Sequence, residues 1–386
     1  MRIGIFTDTY YPEINGVATS IQQLKRGLEF LGQEVYVFAP NNSVEYEDEK
    51  NVIRERSIPF LLLKDRRMCC FRVSKAMKKV KELNLDIIHS QTEFEMGHLA
   101  KRSAYKYNLP FIHTYHTVYE DYTHYLRIPG CNSPLVKSLA RKFSKATCNH
   151  ARAVVVPTDK VNELLRKYGV KREIFVQATG VNYEKFKFPD MEKVGELKKK
   201  YGIPQNCRNI IYVGRLAKEK NIGELVNFIP EIKKKVPDLK FIIVGDGPEK
   251  SSIINRAERL NVSDDIIFTG AVPWSEIENY YALGDIFVSG STSETQGLTY
   301  IEALAAGKPL LVRYDDCLKN VLVEGKNGIS YKKEDEFIKG YFDISENYEI
   351  MADESSKKGM EYSNLIFAQN MLSIYKKMLN ESKGNF

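Results

Sequence analysis

The sequence contains no apolar run that approaches the roughly 20 residues of a membrane-spanning helix. Its first residues, 1–8, lack the apolar core of a secretory signal peptide and are typical of a strand that meets a polar loop. Among the six cysteines, no pair has the spacing of a zinc site. We therefore expect a cytosolic protein whose thiols are reduced.

Motifs for a resident cofactor are also missing. The first strand-to-helix turn contains Asn15-Gly16 and no G-x-G-x-x-G, so a nicotinamide fingerprint is absent. Neither half has a convincing Asp-x-Asp metal motif, because Asp315-Asp316 lies too far along the chain. We expect no tightly bound cofactor and no requirement for a divalent metal. Gly16 would let the backbone approach an anionic ligand closely, with an ordinary turn as the alternative.

Positive charge is concentrated in the first half of the chain. The net charge is +7, and residues 64–81 alone hold eight bases and one acid. Residues 135–152 hold five more bases and no acid. A localised basic face suits an anionic membrane, a nucleic acid or another polyanion. Aromatic residues do not interleave with these bases, so a nucleic-acid partner is not expected.

Both basic segments also have the spacing of amphipathic helices. Over 74–83 and 135–146, apolar residues gather on one side of a helical wheel and bases on the other. Such helices suit a protein that lies on an anionic membrane, with packing of the apolar side on the domain core as the alternative. The candidate membrane or acceptor residues are Arg66, Arg67, Arg72, Lys75, Lys78, Lys79, Lys81, Lys137, Arg141 and Lys142.

Strand-like apolar runs alternate with amphipathic helical stretches along the whole chain. The pattern lapses over 183–198, which we interpret as an interdomain linker, and then restarts. This predicts an α/β protein with two Rossmann-like, doubly wound domains, 1–187 and 188–365, that face a central cleft. The amphipathic tail, 366–386, is predicted to form a helix that packs back on the first domain.

The most informative motif runs from Ser293 to Pro309 and contains two glutamates at a loop-to-helix transition. The helix would begin near Gly297, where unpaired N–H groups and the positive end of the helix dipole bind anions. Glu294 and Glu302 could each bind a vicinal diol while the backbone holds a phosphate between them. The alternative is that both are ordinary loop and surface acids.

A second motif places two cations near a strand end. Arg215 follows the predicted strand 209–213, and Lys220 comes five residues later near a helix start. Two fixed cations can hold a diphosphate and neutralise it as a leaving group. An ordinary basic loop is the alternative.

Two histidines follow another predicted strand, 111–114. Alternation along an extended strand would place His113 and His116 on opposite faces. We expect His113 to be packed inside the domain, and we take His116, at the strand end, as the functional candidate.

Taken together, these motifs resemble those of glycosyltransferase family 4, whose members are retaining enzymes of the GT-B fold. The resemblance covers nearly the whole chain. It rests on Glu294 and Glu302 in an E-x7-E pattern followed by Ala-x-Ala-x-Gly-x-Pro, on Gly214-Arg215-Leu216 with Lys220, and on the stretch 244–249. Asn15-Gly16 is a mild departure, because many members have two glycines there.

The resemblance implies a role for each motif. Arg215 and Lys220 would hold the donor diphosphate, and Glu302 would bind the ribose hydroxyls. Glu294 would hold the transferred sugar, and His116 would lie over that sugar. The remaining donor contacts would come from Asn15, Gly16, Gly245, Val272, Gln296, Gly297, Leu298 and Thr299.

Within the family, residues 114–122 and the basic segment near residue 70 resemble the diacylglycerol glucosyltransferases of bacterial membranes. This implies transfer of a hexose, with glucose preferred, from a UDP-sugar donor to a lipid hydroxyl. Diacylglycerol is the first candidate acceptor, on the inner face of the cell membrane. The family is thought to use a same-face, oxocarbenium-like route, in which the leaving phosphate helps to deprotonate the acceptor.

Several alternatives stay open at this point. The acceptor could be a glycolipid, a cell-surface polysaccharide or a small polyol, and the sugar could be galactose. A covalent intermediate is also open. From other classes of protein, a UDP-sugar epimerase of the same fold and a non-catalytic binding protein are the alternatives.

Overall fold

The computed structural model describes residues 1–13, 15–41, 49–59, 67–69, 74–121 and 134–383. The chain divides into two compact units. The first consists of Met1–Gly180 together with Asn364–Phe386, and the second of Val181–Ser363. Within the described residues, no helix is long and apolar enough to cross a membrane.

The first unit is built on a seven-stranded parallel sheet within the described residues. The strands in chain order are β1 (Arg2–Phe6), β2 (Glu34–Pro40), β3 (Val52–Glu55), β4 (Ser57–Pro59), β5 (Arg67–Cys69), β6 (Ile87–Ser90), β7 (Phe111–Thr114), β8 (Ala153–Val156) and β9 (Glu173–Val176). Their order across the main sheet is β3-β2-β1-β6-β7-β8-β9, and β4 and β5 form a separate antiparallel pair. The central strands are buried and apolar, as parallel sheets covered on both faces require.

The helices of the first unit connect these strands. They are α1 (Gly16–Phe30), α2 (Ser74–Leu83), α3 (Glu95–Tyr107), α4 (Pro134–His150) and α5 (Asp159–Tyr168). In α1, the residues Ile21, Leu24 and Leu28 recur at helical spacing and are buried on the sheet.

The second unit repeats the plan on a six-stranded parallel sheet. Its strands are β10 (Ile210–Val213), β11 (Phe241–Val244), β12 (Ile266–Gly270), β13 (Ile286–Ser289), β14 (Leu310–Arg313) and β15 (Gly328–Tyr331). Its helices are α6 (Tyr183–Lys187), α7 (Met191–Tyr201), α8 (Ile222–Lys233), α9 (Lys250–Arg259), α10 (Ile277–Tyr281), α11 (Leu298–Ala305), α12 (Glu334–Glu346) and α13 (Tyr348–Met360). The order β12-β11-β10-β13-β14-β15 is that of a doubly wound dinucleotide-binding fold.

The segment 183–198, which we interpreted as an interdomain linker, belongs to the second unit, where it forms α6 and most of α7. α6 and α7 begin after Asn182 and Asp190, whose side chains accept hydrogen bonds from helix N–H groups. Tyr183 and Phe186 are buried in the core of the second unit. The polar residues that interrupted the apolar pattern are therefore helix caps and exposed helix faces.

The last helix, α14 (Asn364–Lys383), belongs to the first unit and packs along α1. The two helices approach closely at Gly27, where a Cβ would lie 2.6 Å from the Cβ of Ala368 and from the Asn364 carbonyl oxygen. Phe367, Met371 and Tyr375 are buried in the same core as the first strands.

In each sheet, the order of strands reverses beside the first strand of the unit. The reversal lies between β1 and β6 in the first sheet and between β10 and β13 in the second. Ligands of doubly wound sheets bind at such switch points, beyond the carboxyl ends of the strands. The residues that follow these four strands are therefore the candidate ligand-binding residues of the two units.

Candidate active site

Two glycines let the ends of β10 and β11 meet in the second unit. Gly214 and Gly245 adopt φ values of 148° and 142°, which favour glycine. A Cβ on Gly245 would collide with the Gly214 carbonyl oxygen, so a larger residue does not fit. The Gly245 N–H donates to the Gly270 carbonyl at 2.9 Å, which brings the turn containing Val272 to the same strand end.

The predicted cation motif and the predicted glutamate motif meet in one charged cluster. A Cβ on Gly290 would lie 2.9 Å from the Asn221 carbonyl oxygen, so glycine allows the loop after β10 to pack on the loop after β13. As a result, the Lys220 ammonium group forms an ion pair with the Glu294 carboxylate. Both side chains keep about one-fifth of their surface exposed, at 22% and 18%. The two charged groups are thus held in place by each other, and a ligand can still reach them.

Arg215, two residues after the end of β10, is exposed. Its backbone is held in place, because the buried Tyr212 hydroxyl donates to the Arg215 carbonyl oxygen at 3.0 Å. A guanidinium group on a fixed backbone can turn toward an anion that enters beside Lys220.

The start of α11 has the geometry of an anion site. Gly297 takes the N-cap position with φ of 72°, and a Cβ there would collide with the Tyr300 ring. Glycine has no side chain that could cap this helix end, and the first turn of α11 contains no acid. The N–H groups of Leu298 and Thr299 therefore lie at the positive end of the helix dipole. The neighbouring Gln296 side chain is buried.

Glu302, one turn inside α11, is buried rather than at the surface. Its Oε2 accepts a hydrogen bond from the Tyr281 hydroxyl at 2.7 Å. Burial raises the pKa of Glu302 to about 7, although Tyr281, the Lys185 ammonium group and Trp274 act in the opposite direction. Glu302 is therefore poised between its neutral and charged forms near neutral pH.

In the first unit, the Asn15 side chain stabilises the start of α1. Its Oδ1 accepts from the N–H groups of Val17 and Ala18 at 3.1 and 3.0 Å, and its Nδ2 donates to the Thr9 hydroxyl at 2.6 Å. The side chain is thus the N-cap of α1. The contact with an anion that we predicted at this turn would therefore be made by the backbone N–H group of Gly16.

The two predicted histidines have the different environments that we expected. His113 is fully buried, with Nδ1 2.8 Å from the Ser90 hydroxyl and Nε2 3.3 Å from Glu93 Oε1. His116 follows the end of β7 and is half-buried, with Nε2 2.7 Å from Gln91 Oε1. Burial, with a smaller effect of His113, lowers the pKa of His116 to about 3. His116 is therefore neutral at physiological pH.

The sequence interpretation missed polar residues that follow β1 and β6. Asp8 accepts from the Thr92 hydroxyl at 2.6 Å and from the Met96 N–H at 2.9 Å, and burial raises its pKa to about 6. Gln91 and Glu93 reach His116 and His113 from the same sheet edge. Only their positions in the sequence could have identified these residues, because each follows a strand next to the switch point.

Of the two basic helices, α2 packs its apolar side on the core. Ala76 and Val80 are buried there, and Met77 and Leu83 pack against the same cluster. This is the alternative stated for the segment 74–83. It leaves Lys78, Lys79 and Lys81 facing outward together with Glu82, whose carboxylate lies 2.9 Å from the Lys79 ammonium group. Arg66 and Arg72, and the side chains of Arg67 and Lys75, lie outside the described residues.

The helix α4 keeps apolar side chains on its surface. Leu135 and Leu139, one turn apart, are 70% and 55% exposed. Arg141 and Lys142 are exposed and Lys137 is half-buried on the same half of the helix. Arg141 also forms an ion pair with Glu120. The first half of α4 therefore exposes both leucines and bases, whereas the apolar side of α2 is packed on the core.

No group of three histidine, cysteine, aspartate or glutamate residues suited to a metal ion occurs among the described residues.

Two doubly wound units, the second with a carboxylate, cations and a helix start at its switch point, are typical of GT-B glycosyltransferases. Comparison with known families agrees with this class. Glycosyltransferase Family 4 matches residues 14–185, and Glycosyl transferases group 1 matches residues 193–359. The chain belongs to this family of glycosyltransferases, and the protein is an enzyme. Membership in this family excludes the two alternatives from other classes of protein, a UDP-sugar epimerase and a non-catalytic binding protein.

Two curated relatives are similar over most of the chain. An alpha-monoglucosyldiacylglycerol synthase of Acholeplasma laidlawii is 37% identical over 99% of this chain and 98% of its own length. A protein of the same name from Streptococcus pneumoniae is 40% identical over 86% of this chain and 75% of its own length.

Solved structures agree with the fold. The Anabaena protein HepE, crystallised with UDP-glucose, has a TM-score of 0.73 at 15% identity and covers 98% of this chain and 100% of its own. WaaG, a glycosyltransferase involved in lipopolysaccharide biosynthesis, has a TM-score of 0.70 at 13% identity, over 97% of this chain and 99% of its own. These likenesses concern the fold alone.

We predict that replacing Glu302 with glutamine removes a pH-dependent loss of stability. The pKa of Glu302 is raised from 4.5 to about 7 in the folded chain, so the folded state binds more protons than the unfolded state between these values. The free energy of unfolding therefore falls as pH rises through this window. Glu302→Gln, which cannot ionise, should exceed the parent by about 3 kcal/mol near pH 8 and lose most of that advantage toward pH 5.

Urea unfolding of both proteins across this pH range measures the difference. The exposed Glu276, in the turn that precedes α10, gives a matched control, since Glu276→Gln also removes one carboxylate. A constant difference between Glu302→Gln and the parent at every pH would contradict the assigned titration.

Proposed function

We propose that this glycosyltransferase moves glucose from UDP-glucose to a hydroxyl group of diacylglycerol, with retention of configuration, at an anionic membrane surface. The observation that carries the proposal is the similarity, over nearly the full chain, to two proteins named alpha-monoglucosyldiacylglycerol synthase. The charged cluster and the exposed apolar side of α4 supply the corresponding chemistry.

Donor binding is assigned to the second unit. The diphosphate would be held by Lys220 and Arg215 together with the N–H groups at the start of α11. Glu302 in its charged form would accept hydrogen bonds from the ribose hydroxyls. The uracil base would lie beside Gly245 and the turn containing Val272.

The ion pair of Lys220 and Glu294 suggests how charge is rearranged on binding. When the diphosphate approaches Lys220, the ammonium group gains a second anionic partner. Glu294 can then accept hydrogen bonds from hydroxyls of the transferred sugar. Lys220 stabilises the negative charge that develops on the leaving diphosphate, which is the charge that matters most in the transition state.

The reaction we propose breaks the bond from the anomeric carbon to the diphosphate oxygen, and UDP leaves with the electron pair. The acceptor hydroxyl oxygen bonds to the anomeric carbon on the same face. Its proton passes to a phosphate oxygen of the departing UDP. Because the leaving group itself takes the proton, this route needs no protein base beneath the sugar.

The acceptor is proposed to reach the enzyme from a lipid surface. Leu135 and Leu139 would enter the boundary between headgroups and acyl chains, and neighbouring bases would contact anionic headgroups. The bases on the outer side of α2, including Lys78 and Lys81, would add long-range attraction without apolar insertion.

The test of this function is a product assay. Radiolabelled UDP-glucose, UDP-galactose and GDP-mannose are incubated with the enzyme and anionic vesicles, with and without diacylglycerol. We expect label in lipid only with UDP-glucose and diacylglycerol together. The anomeric proton signal of the product should be that of an α linkage. A β linkage would reject retention, and transfer without diacylglycerol would reject the acceptor.

We predict that Lys220→Ala and Glu294→Ala each lower kcat by about 100-fold or more, because both act on charge that develops in the transition state. The double variant should lose little beyond either single variant, since the two residues act as one unit. Kinetics at saturating donor, with circular dichroism as a control for folding, measure this. Additive losses in the double variant would show that the residues act independently.

We predict that Leu135→Ser with Leu139→Ser weakens attachment to anionic vesicles. Each leucine contributes up to about 2 kcal/mol of apolar burial, and each base near the surface about 1 kcal/mol. The double variant should therefore bind at least about tenfold more weakly in a flotation assay. It should keep the parent's dependence on salt, because the bases remain.

The matched control is Ile350→Ser in α13, an apolar residue that is also 70% exposed. It should float with vesicles as well as the parent does. If Lys78, Lys79 and Lys81, replaced together by serine, reduce attachment more than the leucine variant does, α2 rather than α4 is the main contact. Equal flotation of the leucine variant and the parent would exclude α4 as an anchor.

A further inference from the structure

A chain of four side chains runs from the C-terminal helix to His116 inside the first unit. The Tyr375 hydroxyl of α14 lies 2.7 Å from His89 Nδ1. The Gln91 side-chain nitrogen lies 3.2 Å from each ring nitrogen of His89, and Gln91 Oε1 lies 2.7 Å from His116 Nε2. Tyr375, His89 and Gln91 are almost completely buried.

The orientation of the Gln91 amide determines which nitrogen of His116 carries its proton. The amide nitrogen donates, and it faces the ring of His89, whose two nitrogens also contact the hydroxyls of Tyr375 and Thr114. The amide oxygen can only accept, and it faces His116 Nε2. His116 Nε2 must therefore be a donor, and in a neutral ring Nδ1 is then an acceptor.

We propose that Gln91 is a positioning residue, which holds His116 as the Nε2–H tautomer so that the bare Nδ1 accepts a hydrogen bond from a hydroxyl of the transferred sugar. The sugar hydroxyl rests on the proposed function, whereas the tautomer rests on the side-chain contacts alone. In this role His116 recognises a neutral hydroxyl group and does not act as a cation toward phosphate.

The surroundings of His116 favour the neutral ring. The titratable groups near it are His89 on β6, His113 on β7 and Glu93, which follows β6. The Glu93 carboxylate lies 3.3 Å from His113 Nε2 and accepts a hydrogen bond from the Tyr119 hydroxyl. Burial and the neighbouring His113 lower the pKa of His116 to about 3, so its Nδ1 stays unprotonated at physiological pH.

The first experiment reads the tautomer directly. The full chain, labelled with 15N-histidine at its six histidines, is studied by two-bond 1H–15N correlation at neutral pH. The His116 signals are assigned from their loss in His116→Asn. We expect the Nε2–H tautomer in the parent. In Gln91→Leu, which has no acceptor, we expect a mixture of the two tautomers.

The matched control is Ser90→Ala. It removes a buried hydrogen bond to His113 in the same network and leaves the contact between Gln91 and His116 in place. It should leave the His116 tautomer unchanged. Unshifted signals of His98 and His150, which contact carbonyl groups of their own helices, show that each variant is folded. An Nδ1–H tautomer in the parent, or an unchanged tautomer in Gln91→Leu, overturns the proposal.

The second experiment uses Gln91→Glu, which keeps the acceptor and adds a negative charge. That charge raises the pKa of His116, so the ring takes up a proton at mildly acidic pH and loses its bare Nδ1. The ratio of variant to parent kcat should therefore rise about tenfold between about pH 5 and pH 8.5, with little change in the KM for UDP-glucose. The ratio removes any titration that the two proteins share.

The outcomes separate this inference from the proposed function. A flat ratio for Gln91→Glu across this pH range overturns the role of Gln91 even when the parent is active. If the parent transfers no hexose to diacylglycerol but His116 has the predicted tautomer, the proposed function fails. In that case, a His116 Nδ1 shift on adding UDP-glucose still supports hydroxyl recognition, and no shift overturns it.

Discussion

The parallel arrangement of the strands is the constraint on which the candidate site depends. In a parallel sheet the carboxyl ends of all strands lie at the same edge, so residues that are far apart in the chain meet there. Lys220 and Glu294, 74 residues apart, form an ion pair because β10 and β13 are neighbours in the second sheet. Glycines at the strand ends, such as Gly245 and Gly290, then let the connecting loops pack closely enough for the side chains to touch.

Burial sets the protonation states at both switch points. Glu302 and Asp8 are carboxyl groups whose pKa is raised by loss of water, and the pKa of His116 is lowered for the same reason. In each case desolvation outweighs the hydrogen bonds that surround the group. At physiological pH His116 is therefore neutral, Asp8 is mostly charged, and Glu302 is present in both its neutral and charged forms.

The helix α4 and the buried His113 are connected through packed side chains in the first unit. The Phe143 ring of α4 packs edge-to-face on Tyr119 with ring centroids 5.9 Å apart. The Tyr119 hydroxyl donates to Glu93, which in turn lies beside His113. The surface where a lipid acceptor is proposed to bind therefore shares a continuous set of contacts with the edge of the sheet where His116 lies.

The sequence alone was sufficient for the doubly wound α/β fold, the family and the motifs that contain Glu294, Lys220 and His116. Those features depend on local periodicity and on short patterns, which a single chain displays directly. The tertiary structure decided what depends on neighbours. It placed the apolar side of α2 in the core and left Leu135 and Leu139 of α4 exposed, although both helices have the same pattern. It also brought Gln91 to His116 and buried Glu302, because exposure and hydrogen-bond partners are properties of packed elements and not of sequence spacing.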